Sequence, residues 1–423
     1  MANFLVCGLI FWFYAFIKFR NEKILYPSVI FSFMWGAAYI YTAAILGGYG
    51  ENLYLKEYYN FKYIDTYVVY VTIVTISGFV LAQYFKKSSG CNVNLRMSED
   101  FIDNILLKYR WILWLNLGGG LLRIAIMLST IGFENMMDYR LAANAMMMTS
   151  SLSFAGIVFK LTAYIQMLAN FYIAISGLKA GLEYLDFKKV LLLFVLYAPN
   201  QMATGGRLFI LYFVLFFFGA FLIGRGLSFR EESRQLLENY EKRVLLLMFA
   251  GLFSLVGIIA MLRSGSINES KENTFDKFAY VTEGMLCTEY LMRYYPPGTF
   301  KLDKGENTAG TLSKQYLAFR RYLNHTKMSA SVVCIYTRAY LDFGYWGTLV
   351  FLFIIAFLGE YISLRCLENM TLINFFIVMV VLKMFYESVM ASSIPDNISN
   401  YELIILFIIF YNRIFGRLDS ENI

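Results

Sequence analysis

Residues 244–262, VLLLMFAGLFSLVGIIAML, run directly into Arg263-Ser264-Gly265, and apolar sequence resumes only at residues 332–357, VVCIYTRAYLDFGYWGTLVFLFIIAF. Either apolar stretch is long enough to cross a bilayer as a helix, which takes roughly 20 residues. The segment between them, Arg263 to Ser331, is polar, rich in Lys and Arg, and holds His325, the only histidine of the chain. Such a segment cannot lie in hydrocarbon. It stands in water between two spans, and almost everything on either side of it reads as apolar helix joined by short turns.

Working outward, eleven candidate spans emerge: about 3–19, 26–47, 65–85, 111–131, 153–177, 188–204, 207–224, 244–262, 332–357, 371–391 and 401–415. The sixth and seventh meet through Pro199-Asn200-Gln201-Met202-Ala203-Thr204-Gly205-Gly206, where proline can shorten or break the helix. The composition agrees with a membrane bundle. Of 423 residues 59% are hydrophobic and only 16% charged, whereas soluble domains sit near half apolar and a quarter charged. The expected fold class is an all-α polytopic membrane protein of about eleven transmembrane helices. In sequence it divides into 1–262 (spans one to eight), the loop 263–331 with amphipathic helices, and 332–423 (spans nine to eleven).

Alternate short loops carry the cations. One set holds Lys18, Arg20, Lys23; then Lys86, Lys87, Arg96, Lys108, Arg110; then Lys179, Lys188, Lys189; then Arg225, Arg230, Arg234, Lys242, Arg243; then Arg365; then Arg413 and Arg417. The opposite set holds only Lys56, Lys62, Arg140 and Arg207. Short loops set orientation, whereas long ones translocate regardless of charge. The N-terminus and the 263–331 loop are therefore expected outside and the C-terminus inside. The formal charge of +7 flanks spans rather than forming a stripe, so membrane lipids and no nucleic acid are expected as partners. Tyr54, Tyr58, Tyr59, Tyr63, Trp111, Trp114, Tyr294 and Tyr295 cluster where interfaces are expected.

Several chemistries are excluded. Cys7, Cys91, Cys287, Cys334 and Cys366 have no paired spacing, so neither a disulfide framework nor a zinc set is expected. No phosphate-cradling glycine loop or dinucleotide fingerprint occurs. No acidic or histidine cluster in the outer loops suggests a metal, and no cofactor is expected. The first segment lacks a basic n-region and a cleavage site and is expected to be a retained helix.

What remains is cationic. The Gly205-Gly206 turn presents Arg207 at the outer mouth of the seventh span, where a guanidinium either contacts phosphate bidentately or snorkels to anchor a helix end. Arg263 leaves the eighth span at the same level, with the same two readings. Within the loop, Phe275 to Tyr295 has helical spacing and stops at Pro296-Pro297-Gly298. A second helix is expected over about Thr308 to His325, capped by Thr308. Leu312, Tyr316, Phe319 and Leu323 form its apolar stripe, with Lys314, Arg321 and His325 almost opposite. That basic face either lies in water at the interface or closes over an anion, with His325 as proton acceptor. Arg123, Lys160 and Lys383 fall within spans, at about 2.5–3.5 kcal/mol each in mid-bilayer. They must face an interior, water or a partner; Lys383 and Glu387 are one turn apart and can pair.

The layout resembles the Wzy-type O-antigen (oligosaccharide repeat-unit) polymerases: eleven spans, one major outer loop late in the chain and few spans after it. Local echoes are Gly205-Gly206-Arg207, the Arg263 helix exit, Pro27-Ser28-Val29-Ile30 entering an aromatic helix, and Tyr340-Leu341-Asp342-Phe343-Gly344-Tyr345-Trp346-Gly347. The family's arginine-to-glycine spacings are not cleanly present in the outer loops. The resemblance implies a GT-C-like bundle with one large periplasmic loop in the bacterial inner membrane. It implies a metal-independent glycosyltransferase joining undecaprenyl-diphosphate-linked repeat units, donor and acceptor both carried on that lipid. A chain-length-regulating co-polymerase of the Wzz type is the implied partner. Arginines would hold the leaving diphosphate, as such charge requires: Arg207 and Arg263 first, Arg321 and Arg140 second. His325 would be the base, with Asp342 in reserve. The alternatives are an O-antigen ligase, which needs the same residue types, and a lipid-linked oligosaccharide flippase lined by Arg123, Lys160, Lys383 and Glu387.

Overall fold

A computed structural model describes residues 1–47, 63–87, 94–95, 97–131, 154–202, 212–232, 280–308, 313–325 and 334–389. The first helices are α1 (Ala2–Glu22), α2 (Pro27–Leu46), α3 (Ile64–Lys87), α4 (Glu99–Tyr109), α5 (Trp111–Ile131), α6 (Phe154–Leu182) and α7 (Phe187–Met202). A π-helical turn, Val214–Gly219, leads into α8 (Ala220–Glu232); then come α9 (Tyr280–Tyr294), α10 (Lys314–His325), α11 (Ile335–Glu368) and α12 (Leu372–Glu387). The described strands, Asn94–Leu95 and Asn369–Met370, have two residues each. Six helical stretches among the described residues are long and apolar enough to cross a membrane: α1, α2, α3, the run Glu99–Ser129, α6 and α11. The protein is an all-α membrane protein. The spans expected at 244–262 and 401–415 lie outside the described residues.

The chain packs as two compact units, 1–94 with 271–423, and 95–270. In the first, the elements before and after the long excursion close on an aromatic core. Trp35 of α2 stacks on Tyr336 of α11 with ring centroids 4.1 Å apart, and its indole N–H donates to Ser388 Oγ at 2.8 Å. The Tyr336 hydroxyl lies 3.3 Å from that of Tyr39. Phe31 meets Phe11, Phe79 and Phe385 edge-on, the favoured aromatic geometry. The opposite face of α1 carries Leu9, Phe13 and Phe16, more than half exposed, an apolar surface suited to lipid rather than water.

A buried carboxylate fixes one end of this core. Glu360, fully buried on α11, accepts from Ser28 N at 3.0 Å, Ser28 Oγ at 2.9 Å and Gln83 Nε2 at 3.0 Å. The Ser28 amide belongs to the first turn of α2, just after Pro27, where N–H groups lack intrahelical partners. An anion there completes the helix start.

The second unit is held by polar side chains turned inward. Asn116 of α5 donates to the carbonyls of Leu196 and Tyr197 at 3.0 and 3.1 Å, and Asn200 returns a bond to Asn116 Oδ1 at 2.9 Å. These bonds bracket Pro199, which lies inside α7, so the helix bends there rather than ending, as inner proline demands. Close approach requires Gly120: a Cβ there would collide with the backbone of Asn200.

The intramembrane cations are resolved by these neighbours. Arg123, 2% exposed, donates to the carbonyls of Phe159 and Asn200 and lies over the Phe159 ring. Lys383 pairs with Glu387 at 3.4 Å. Lys160 is exposed; it lies 19 residues before Lys179 on α6, roughly 28 Å along the axis at 1.5 Å per residue. That is about the hydrocarbon thickness.

Candidate functional site

In the first unit, α9, the segment after it, α10 and the start of α11 come together. α9 is anchored through Glu289, fully buried, which accepts from the amides of Tyr63 and Ile64 at 2.9 Å each and from Arg293 Nε at 2.7 Å. It thereby satisfies the first N–H groups of α3 and neutralises Arg293. After Tyr294 the chain leaves the helix at Pro296-Pro297-Gly298. Phe300 packs between Tyr295 and Tyr340, with centroids 5.4 and 5.3 Å away. The Tyr340 hydroxyl donates to the Tyr295 carbonyl at 2.8 Å. Burial, then the neighbours Tyr294 and Asp303, push the Tyr295 hydroxyl above the usual tyrosine range, so it stays protonated at neutral pH.

Two aspartates clasp residues 301–308 and Ser313 to α11. Asp342, 1% exposed, accepts from Asn307 N at 3.0 Å and Asn307 Nδ2 at 2.8 Å on one oxygen, and from Thr308 N at 2.6 Å on the other. Asp303 accepts from Asn307 Nδ2 at 3.0 Å, Ser313 Oγ at 2.6 Å and Gln315 Nε2 at 2.5 Å, while its own N–H donates to Leu341 O at 3.1 Å. Lys304 and Gly305 adopt left-handed backbone to make the turn. Every partner of these carboxylates is an N–H or O–H donor, so their lone pairs are spent on protein. Among the described residues no group of three or more His, Cys, Asp or Glu converges.

Asp342, the expected reserve base, faces the 307–308 backbone with about three of its four lone-pair sites filled. The cap of the second loop helix moves. Ser313, not Thr308, caps α10, its Oγ accepting from Tyr316 N at 3.0 Å. The Thr308 hydroxyl donates instead to Gly305 O at 3.2 Å, and its amide to Asp342. Tyr316 and Phe319 are buried and Lys314 and Arg321 exposed, so the helix is amphipathic with Arg321 on the open face. His325 closes α10; its side chain lies outside the described residues, as do Arg140, Arg207 and Arg263.

Arg338 was missed. It lies at the start of α11, half-buried, its Nη1 donating to Asn307 O at 3.3 Å and its guanidinium 5.8 Å from the centroid of Tyr316. A charge inside the apolar stretch 332–357 was the available signal. The start of α11 also differs from the expected ninth span. Gly344 (φ 70°, ψ −171°) kinks the helix, so residues 345–368, roughly 36 Å of helix, form the straight span. Residues 335–343 form a separate short helix carrying Arg338 and Asp342. No family model matches this chain, and neither a curated protein nor a solved structure is similar to it.

Proposed function

We propose that this chain is an O-antigen polymerase of the bacterial inner membrane, with the 263–331 loop and the N-terminus periplasmic and the C-terminus cytoplasmic. It would be a GT-C-like bundle of about eleven spans that joins undecaprenyl-diphosphate-linked repeat units without a metal. The observation that carries this is the clasped loop. Polar residues 301–308 and Ser313 are tied to the start of α11 by buried Asp342 and by Asp303, and α10 is held with Lys314 and Arg321 outward. Ordering so polar a segment costs about 1–2 kcal/mol per residue in backbone entropy, which a passive connection has no need to offset.

In the reaction, the acceptor hydroxyl oxygen bonds to the donor's anomeric carbon as the bond from that carbon to the diphosphate oxygen breaks. The electron pair leaves on polyprenyl diphosphate, and the hydroxyl proton passes to a base, for which His325 is the candidate. Arg207 and Arg263, with Arg321 and Arg140 behind them, would stabilise the departing charge. Substrates carried on a long lipid require a site at the membrane boundary. A Wzz-type co-polymerase would set chain length.

A transport path draws no support from the inward cations. Arg123 donates to two carbonyls, Lys383 pairs with Glu387, and Lys160 is exposed. The test is the glycan ladder of a null strain rescued by this chain. Long ladders are expected with the wild type, and single units only with Arg207→Ala or Arg263→Ala. Loss of all glycan attachment in the null strain would identify a ligase instead, and carrier-linked units stranded on the cytoplasmic face would identify a flippase.

A further inference from the structure

We propose that Arg338 is an anion-binding residue that takes the diphosphate of a lipid-linked substrate. The lipid carrier rests on the polymerase reading; the diphosphate chemistry rests on Arg338 itself.

A guanidinium has five N–H donors in a rigid fork. At Arg338 one of them is matched, by Asn307 O, and the Nε is buried with no partner. No carboxylate forms an ion pair with it among the described residues. The two aspartates nearest in the fold are committed elsewhere, Asp342 to Asn307 and Thr308, and Asp303 to Asn307, Ser313 and Gln315. By contrast, Arg293 of this unit pairs with Glu289 at 2.7 Å and Arg365 with Glu368 at 3.1 Å, while Arg20 and Arg321 are exposed to solvent. A half-buried cation without a counterion is costly, and here the surroundings are built to hold it in place. The Asn307 carbonyl and the Tyr316 ring fix its plane, and both are set by the clasp and by the Ser313 cap. A fixed, stacked, un-neutralised fork is the form of arginine that suits bidentate phosphate. Its incomplete burial leaves it reachable from the end of the unit where the polar loop is anchored.

The full-length protein in nanodiscs is titrated with inorganic pyrophosphate and with a short-chain polyprenyl diphosphate, reading thermal stabilisation, since a ligand of the native state raises the melting point. Both ligands should stabilise the wild type, the polyprenyl form more strongly if the site opens toward lipid. Arg338→Gln should weaken binding by about ten- to a hundredfold, the factor expected when a charged hydrogen-bonding partner is lost. Arg338→Lys, which keeps the charge and the stem packed on Tyr316, should retain part of it. Arg365→Gln, at the other end of α11 where the guanidinium pairs with Glu368, should bind as the wild type does. Undiminished stabilisation in Arg338→Gln, or none by either ligand in the wild type, overturns the assignment. If Arg338→Gln does not fold, Arg338→Lys decides: binding equal to the wild type counts against a bidentate fork. The cellular ladder is scored separately. A wild-type chain that binds pyrophosphate through Arg338 but restores no polymer would sink the polymerase reading and leave the anion site standing.

Discussion

At the scale of single residues, buried carboxylates tie segments distant in sequence to one another. Asp342, Glu289 and Glu360 each accept two or more N–H groups and are almost wholly buried. Removing such an acceptor leaves buried donors unmatched, at about 1–3 kcal/mol for each. Asp342→Ala should therefore destabilise the clasp by about 3 kcal/mol or more and expose residues 296–308 to protease while the spans stay intact. Asp342→Asn can still accept from Asn307 but sets its amide against Thr308 N, and should lose roughly half as much. Limited proteolysis with thermal unfolding in detergent reads both. Wild-type resistance in Asp342→Ala would mean the loop is held by something else. Asp342 was legible in sequence as a polar residue in an apolar run, but its task was not, because its partners lie 34 and 35 residues away.

At the scale of elements, α11 is the piece where pattern and outcome diverge. Hydropathy runs without a break through residues 332–357, and the natural reading is one helix. Gly344 interrupts it with a backbone conformation that other residues rarely adopt. The interruption lets a short helix bearing Arg338 and Asp342 turn toward the loop. Gly344→Ala should cost about 1–3 kcal/mol from backbone strain, seen as a lower melting temperature together with weaker pyrophosphate binding. A variant with unchanged stability would show that the kink relaxes freely. The cap of α10 gives a smaller lesson of the same kind. Thr308 and Ser313 both suit an N-cap by type; the Ser313 hydroxyl accepts from Tyr316 N, while that of Thr308 donates to Gly305 O.

At the scale of the whole molecule, orientation follows from charge in the short loops, and it can be tested without reference to chemistry. A fluorescent reporter fused after Ile423 should fold and glow in the cytoplasm, whereas an alkaline phosphatase fused at the same point should stay inactive. A small tag inserted at Asn268 should be reachable from outside intact spheroplasts. An active phosphatase at the C-terminus would invert the topology and remove the polymerase reading with it. Within each unit, helices distant in sequence are tied by polar atoms placed in apolar surroundings: Ser28 to Glu360, Asn116 to Asn200, Trp35 to Ser388.

The amino-acid sequence by itself determined the membrane class, the positions of most apolar helices and the amphipathic character of α10. All three are local, because hydrophobicity and period are properties of neighbouring residues and the bilayer acts on each segment separately. The tertiary structure alone decided which polar groups meet. It matched Arg123 to backbone carbonyls, set Asp342 against the amides of Asn307 and Thr308, and left the Nε of Arg338 without a partner. Those outcomes depend on partners tens to hundreds of residues apart, and no local pattern records whether a buried charge has found its counterpart.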